Sequence, residues 1–174
     1  MQNHSDPQDF LGEDDEVYGG LNLLAKLLDD LDDRGLVLSL SAFAEDALGS
    51  LLKTFMRPTK ATSQLLEGFN APLGTFSARI KAAYSLGLIT EDQFLDLDRL
   101  RKIRNEFAHT WMPIEITEPK IASLINGMSY SRLHGQFPET PVDKIRSSMS
   151  CLLIELRAVA HLISKQNTQA RQIG

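Results

Sequence analysis

Wherever this chain is apolar, its apolar residues recur every three or four positions, and no segment alternates convincingly with the period of two that a half-buried strand needs. That periodicity predicts an all-α fold. The strongest early stripe runs Leu36, Leu40, Phe43, Ala44, Ala47, Leu48, Leu51, Leu52 and Phe55. Leu21, Leu24, Leu27, Leu28 and Leu31 form a stripe before it, with Gly35 read as the break between the two. A final stripe runs from Ile145 through Met149, Leu152, Leu153, Leu156, Val159 and Ala160 to Ile163. With 174 residues, 43% of them hydrophobic, the chain is long enough for one core. The expectation is a single-domain helical bundle of about six to seven helices over residues 13–166. Residues 1–12 are read as a disordered polar lead and residues 167–174 as a flexible tail.

Helix ends are marked locally. Arg57-Pro58 closes the Leu36–Phe55 helix, because the residue before a proline is pushed out of the α region. Thr59 to Glu67 predicts a short helix, leading into the loop Gly68–Gly74 (GFNAPLG). Thr75 to Leu86 follows as a helix stopped by Gly87. Thr90-Glu91-Asp92-Gln93 is a capping box that opens the next helix, and Pro113 is read as its end. Thr117-Glu118-Pro119 and Thr140-Pro141 each start a further helix, since proline suits the first helical position. Glu13 to Glu16 places acid at a helix start, where the dipole favours it.

The formal net charge is −5, so the molecule as a whole does not attract nucleic acid. Direct DNA reading, which usually brings a broad basic face, is disfavoured. Cys151 is the only cysteine, which leaves no internal disulfide and no cysteine-rich zinc site; it is read as a small buried hydrophobe. His4, His109, His134 and His161 are scattered without metal-binding spacing, and His161 is read as a helix-flank residue. No metal and no cofactor are expected. No secretory leader and no apolar run of ~20 residues is read from the sequence, so the expectation is a cytoplasmic protein with no membrane contact.

The stretch Leu97–Trp111, LDRLRKIRNEFAHTW, carries the chemistry. Leu97, Leu100, Ile103 and Phe107 form a core stripe, and Arg99, Arg101, Lys102 and Arg104 are the densest basic cluster in the chain. Asn105 and His109, four apart, share a helix face. A permanent guanidinium beside a titrating imidazole is a device for holding and cleaving a phosphodiester. Arg104, Asn105 and His109 are therefore the candidate catalytic residues. Arg101, Lys102 and Arg99 are candidate RNA or phosphate contacts.

Arg104-Asn105-x-x-x-His109 resembles the Arg-x4-6-His signature of HEPN domains, small helical proteins that often act as metal-independent ribonucleases. A longer match resembles the mannitol operon repressor (MtlR/MltR) family. Its residues are Pro72-Leu73-Gly74, Arg79-Ile80, Tyr84, Leu86-Gly87-Leu88-Ile89 and the acidic-to-basic helix that follows. The repressor resemblance implies an all-helical regulator of gene expression acting through a protein partner. The HEPN resemblance implies a metal-independent endoribonuclease, conceivably toxin-like. In that reaction His109 would be the general acid or base, Arg104 would stabilise phosphorane charge, and Asn105 would orient the imidazole or the phosphate. It also implies a homodimer with two motifs in one cleft, and it makes Glu45, on the Leu36–Phe55 helix, a second-rank site candidate. Expected partners are thus a second copy, a transcription factor or antitoxin, and RNA.

Overall fold

The computed structural model describes residue 28 and residues 31–129 and 138–170. Among these residues there are helices and no strands. They are α1 (Asp33–Phe55), α2 (Lys60–Leu66), α3 (Phe76–Ser85), α4 (Glu91–His109), α5 (Pro119–Asn126) and α6 (Pro141–Gln166). The predicted Leu21–Leu31 helix lies outside the described residues except for Leu28, which is buried, and Leu31, which is exposed. The acidic run at Glu13–Glu16, His4 and His134 lie outside them too.

The threonine caps form as the sequence dictates. Thr59, Thr75 and Thr140 each accept an amide from the residue three further on. Thr90 and Gln93 close a reciprocal capping box, with Thr90 N donating to Gln93 Oε1 at 2.9 Å. Gly87 takes the left-handed conformation (φ 70) that ends α3.

Two boundaries differ from expectation. Gly35 is no break: Asp32 accepts its amide at 2.7 Å, so α1 begins at Asp33 and the glycine sits inside the first turn. The motif helix ends at His109, well before Pro113, where Thr110 turns extended (φ −109, ψ 135).

α1 is the centre of the molecule, packing against α6, α4, α3 and α2. Its buried stripe of Leu36, Leu40, Ala44, Leu48, Leu51 and Leu52 meets Leu97, Leu100, Ile103 and Phe107 of α4 and Ile145, Met149, Leu152 and Leu156 of α6 in one core. α1 and α6 run in the same direction, since Arg146 reaches Leu28 O at one end and Ala170 N reaches Phe55 O at the other, both at 2.8 Å. α4 runs against both: its first turn bonds Glu155 of α6 through Gln93 (2.7 Å), while its last turn lies at the start of α1. By length and mean composition α1 and α6 could cross a membrane, but their apolar stripes form this core. Cys151, on α6, is half-buried rather than fully buried.

Side-chain clamps set the angles between helices. Arg79 of α3 donates from Nε to Leu73 O (3.0 Å), from Nη1 to Glu45 O (2.8 Å) and from Nη2 to Leu66 O (3.1 Å). It thereby fixes the Gly68–Gly74 loop against α1. Gly49 makes room for it, because a Cβ there would stand 2.7 Å from Arg79 Nη1.

Asp96, fully buried on α4, receives Ser129 N on both carboxylate oxygens (3.0 and 2.9 Å) and Arg99 Nη1 at 2.9 Å. It ties the segment after α5 to α4. Asp96→Ala strands the Ser129 amide and the arginine, so urea denaturation is expected to show a loss of about 3 kcal/mol. Breaking the exposed Lys53–Glu67 pair with Glu67→Ala should cost less than ~1 kcal/mol.

Candidate functional site

The geometry of α4 sorts its cations. At about 100° per residue, the buried residues Asp96, Leu97, Leu100, Ile103 and Phe107 define the core side. Asp98, Lys102, Asn105 and His109 line the side facing away from it. Arg104 lies on the flank, about 140° round from His109.

Three of the four cations are held by carboxylates one turn earlier. Arg99 pairs with Asp96 at 2.9 Å. Arg101 reaches Asp98 Oδ1 from Nε (2.9 Å) and Nη2 (2.7 Å), and Lys102 reaches Asp98 Oδ2 at 2.9 Å. Partial burial pushes the Asp98 carboxyl up, but hydrogen bonds and charge from Lys102 and Arg101 outweigh this and hold it below its ordinary value of 3.8. A phosphate approaching Arg99, Arg101 or Lys102 therefore meets carboxylates already in place.

The end of α4 is different. Arg104 and Asn105 are half-buried and His109 is exposed, and none of them bonds another described residue. The structure places them on the last two turns, with Arg104 on a different side from the Asn105–His109 pair. Beyond them the chain presents Trp111 (88% exposed) and Met112 (52% exposed).

This exposed end is anchored from α1. Arg34 donates from Nη1 to Phe107 O (2.8 Å) and from Nη2 to Met112 O (3.0 Å), and Asp33 Oδ2 accepts Ile116 N at 2.8 Å. Helix ends leave carbonyls without intrahelical partners, and the guanidinium supplies a donor to one of them, Phe107 O, and a second donor to Met112 O in the segment that follows. Sequence reading missed Arg34 and Asp33, which stand far from the motif in sequence and belong to no periodic pattern. Glu45 does not join this end within one copy of the chain. From Arg34 to Glu45 the helix rises about 16 Å, and the Glu45 carbonyl is engaged by Arg79. Among the described residues no cluster of three His, Cys, Asp or Glu could hold a metal ion.

The mannitol repressor family model, MtlR, matches residues 22–164, and the chain belongs to that family. A chain of the X-ray structure of the MtlR–HPr complex from Escherichia coli shares the fold, with a TM-score of 0.57 at 19% identity, covering 83% of this chain and 97% of that one. Among curated proteins none matches.

Two outcomes test this geometry. Arg34→Ala is expected to lower stability by about 2 kcal/mol through two lost charge-assisted bonds. It should also speed amide exchange across residues 110–116, read by mass spectrometry, while leaving α6 protected. The Asp98 carboxylate, lowered when folded, stabilises the protein above its ordinary value and ceases to as pH falls through the lowered one. The stability advantage of wild type over Asp98→Asn should therefore be constant near neutrality and fade only in acid.

Proposed function

We propose that this protein is a cytoplasmic regulator of gene expression that acts through a protein partner and does not itself read DNA. Membership of the mannitol repressor family over residues 22–164 is the observation that carries this reading. The fold shared with a chain of the MtlR–HPr complex supports a partner of the HPr kind. The ion pairing of Arg99, Arg101 and Lys102 supports it as well, since it removes most of the basic surface that a DNA-reading face would need. A homodimer is the assembly this reading expects. The target operon follows from the family name as mannitol utilisation.

A second reading is supported by one specific feature. Arg104 has no carboxylate partner among the described residues, and His109 is open to solvent on the last turn of the same helix. A metal-independent endoribonuclease would use these as phosphate clamp and general acid or base, with Asn105 orienting them. Because Arg104 and His109 point to different sides of α4, this chemistry needs the second copy of a dimer to bring one of each together.

One experiment separates the two. Purified protein is titrated with HPr by calorimetry and, in parallel, incubated with labelled RNA in EDTA beside Arg104→Ala and His109→Ala. Saturable HPr binding with RNA left intact is the expected result. RNA cleavage by wild type that both variants abolish, together with no HPr binding, overturns the regulator reading in favour of the nuclease.

A further inference from the structure

Away from the motif, α1 and α6 run side by side and leave a groove of about 300 Å³ between them. Asp46 and Ser50 line it from α1, and Arg157, Ala160, His161 and Ser164 from α6. A longer side chain at position 160 would take up part of this volume. At one end the chain turns back after α6. Asn167 is left-handed (φ 51), and Ala170 N donates to Phe55 O at 2.8 Å, which ties the chain after α6 to the end of α1.

Several opposite charges elsewhere on the surface close on one another: Lys53 on Glu67 at 2.6 Å, Lys120 on Glu106 at 2.7 Å and Lys102 on Asp98 at 2.9 Å. Asp46 and Arg157 face the same groove from opposite walls, and neither makes an ion pair or hydrogen bond with a described residue. The half-buried guanidinium, with an imidazole one turn further along the same helix, offers fixed donors to an anion. The carboxylate opposite offers acceptors to hydroxyls, and Ser50 and Ser164 add hydroxyls between them.

We infer that the α1–α6 groove is a binding site for a small hydroxylated anion, a phosphate ester or a carboxylate, with its anionic end on Arg157 and His161 and its hydroxyls on Asp46 and the two serines. The volume lies at the lower end of small-molecule sites and suits a compact metabolite rather than a polymer. Bridging the two walls, such a guest pairs both charges at once. The site is independent of the α4 end and of any reading placed on it.

The test is an amide-resolved titration of the isotope-labelled full chain with glycerol 3-phosphate, glycerate, inorganic phosphate and glycerol. Shifts confined to residues lining α1 and α6, produced by glycerol 3-phosphate or glycerate more strongly than by inorganic phosphate and not by glycerol, are expected. The stronger of the two esters or acids identifies the anionic group. Arg157→Gln, which breaks no side-chain bond among the described residues, should weaken this binding about tenfold or more. Asp46→Asn should weaken the hydroxylated anions but not inorganic phosphate, and Ala160→Leu should abolish all of it. No shifts with any anion at millimolar concentration, or shifts that survive both Arg157→Gln and Asp46→Asn, overturn the assignment.

Discussion

A bundle of helices has no ladder of interstrand bonds to fix its parts, so the unpaired carbonyls at helix ends and in connecting loops become the places where geometry is set. In this protein arginine side chains reach across to such carbonyls. Arg79 takes two, at the end of α2 and in the Gly68–Gly74 loop, and ties them to α1 through a third bond to Glu45 O in mid-helix. Arg34 gathers two at the end of α4, and Arg146 takes Leu28 O beside the start of α1. Every one of these clamps joins α1 or its approach to another part of the chain. The hydrophobic stripe of α1 supplies the driving force for assembly, being non-directional. The guanidiniums supply the direction, through bonds to charged donors that are stronger than neutral ones.

The same economy explains why the end of α4, rather than its middle, presents polar side chains without partners among the described residues. A cation in the helix middle has carboxylates one turn away, and Asp96 and Asp98 take up Arg99, Arg101 and Lys102. Arg104 would look for an acid at position 100 or 101, and finds Leu100 and Arg101 instead. Past it, Arg34 from α1 takes the Phe107 carbonyl. The outcome is a guanidinium, an amide and an imidazole that have no side-chain partner among the described residues, beside an exposed indole. A free side chain on a rigid element is the condition under which recognition is precise, whichever partner recognises it.

The features legible in the sequence were those written within one turn of a helix. Thr90 with Gln93, Thr140 before Pro141 and Gly87 after α3 act on atoms three or four residues away, so spacing alone identifies them. Core stripes were legible for the same reason. The acid-to-base gradient of α4 was legible as a pattern but not in its physical role. It suits the helix dipole, yet its larger effect is pairing, and Asp96 is fully buried to hold Ser129. Gly35 shows the reverse failure, since a glycine usually read as punctuation is admitted to the first turn by the Asp32 cap. Arg34 and Arg79 were beyond reach, because their acceptors lie 73 and 34 residues away and a carbonyl has no sequence signature.

Charge distribution then limits what any surface of this protein can bind. A polyanion is held by long-range field, through many released counterions, and a chain of net charge −5 whose central basic cluster is internally paired has little field to offer. Recognition here must work at short range, through a few groups in contact. The α4 end and the α1–α6 groove both have that character. One presents single charges beside an exposed aromatic, suited to a protein surface or to one nucleotide step at a time. The other faces two charges, unpaired among the described residues, across a gap of small-molecule size. Both arise from the way α1 is used: packed against four other helices, it pins α4's end with its first turn and leaves its Asp46–Ser50 edge open beside α6.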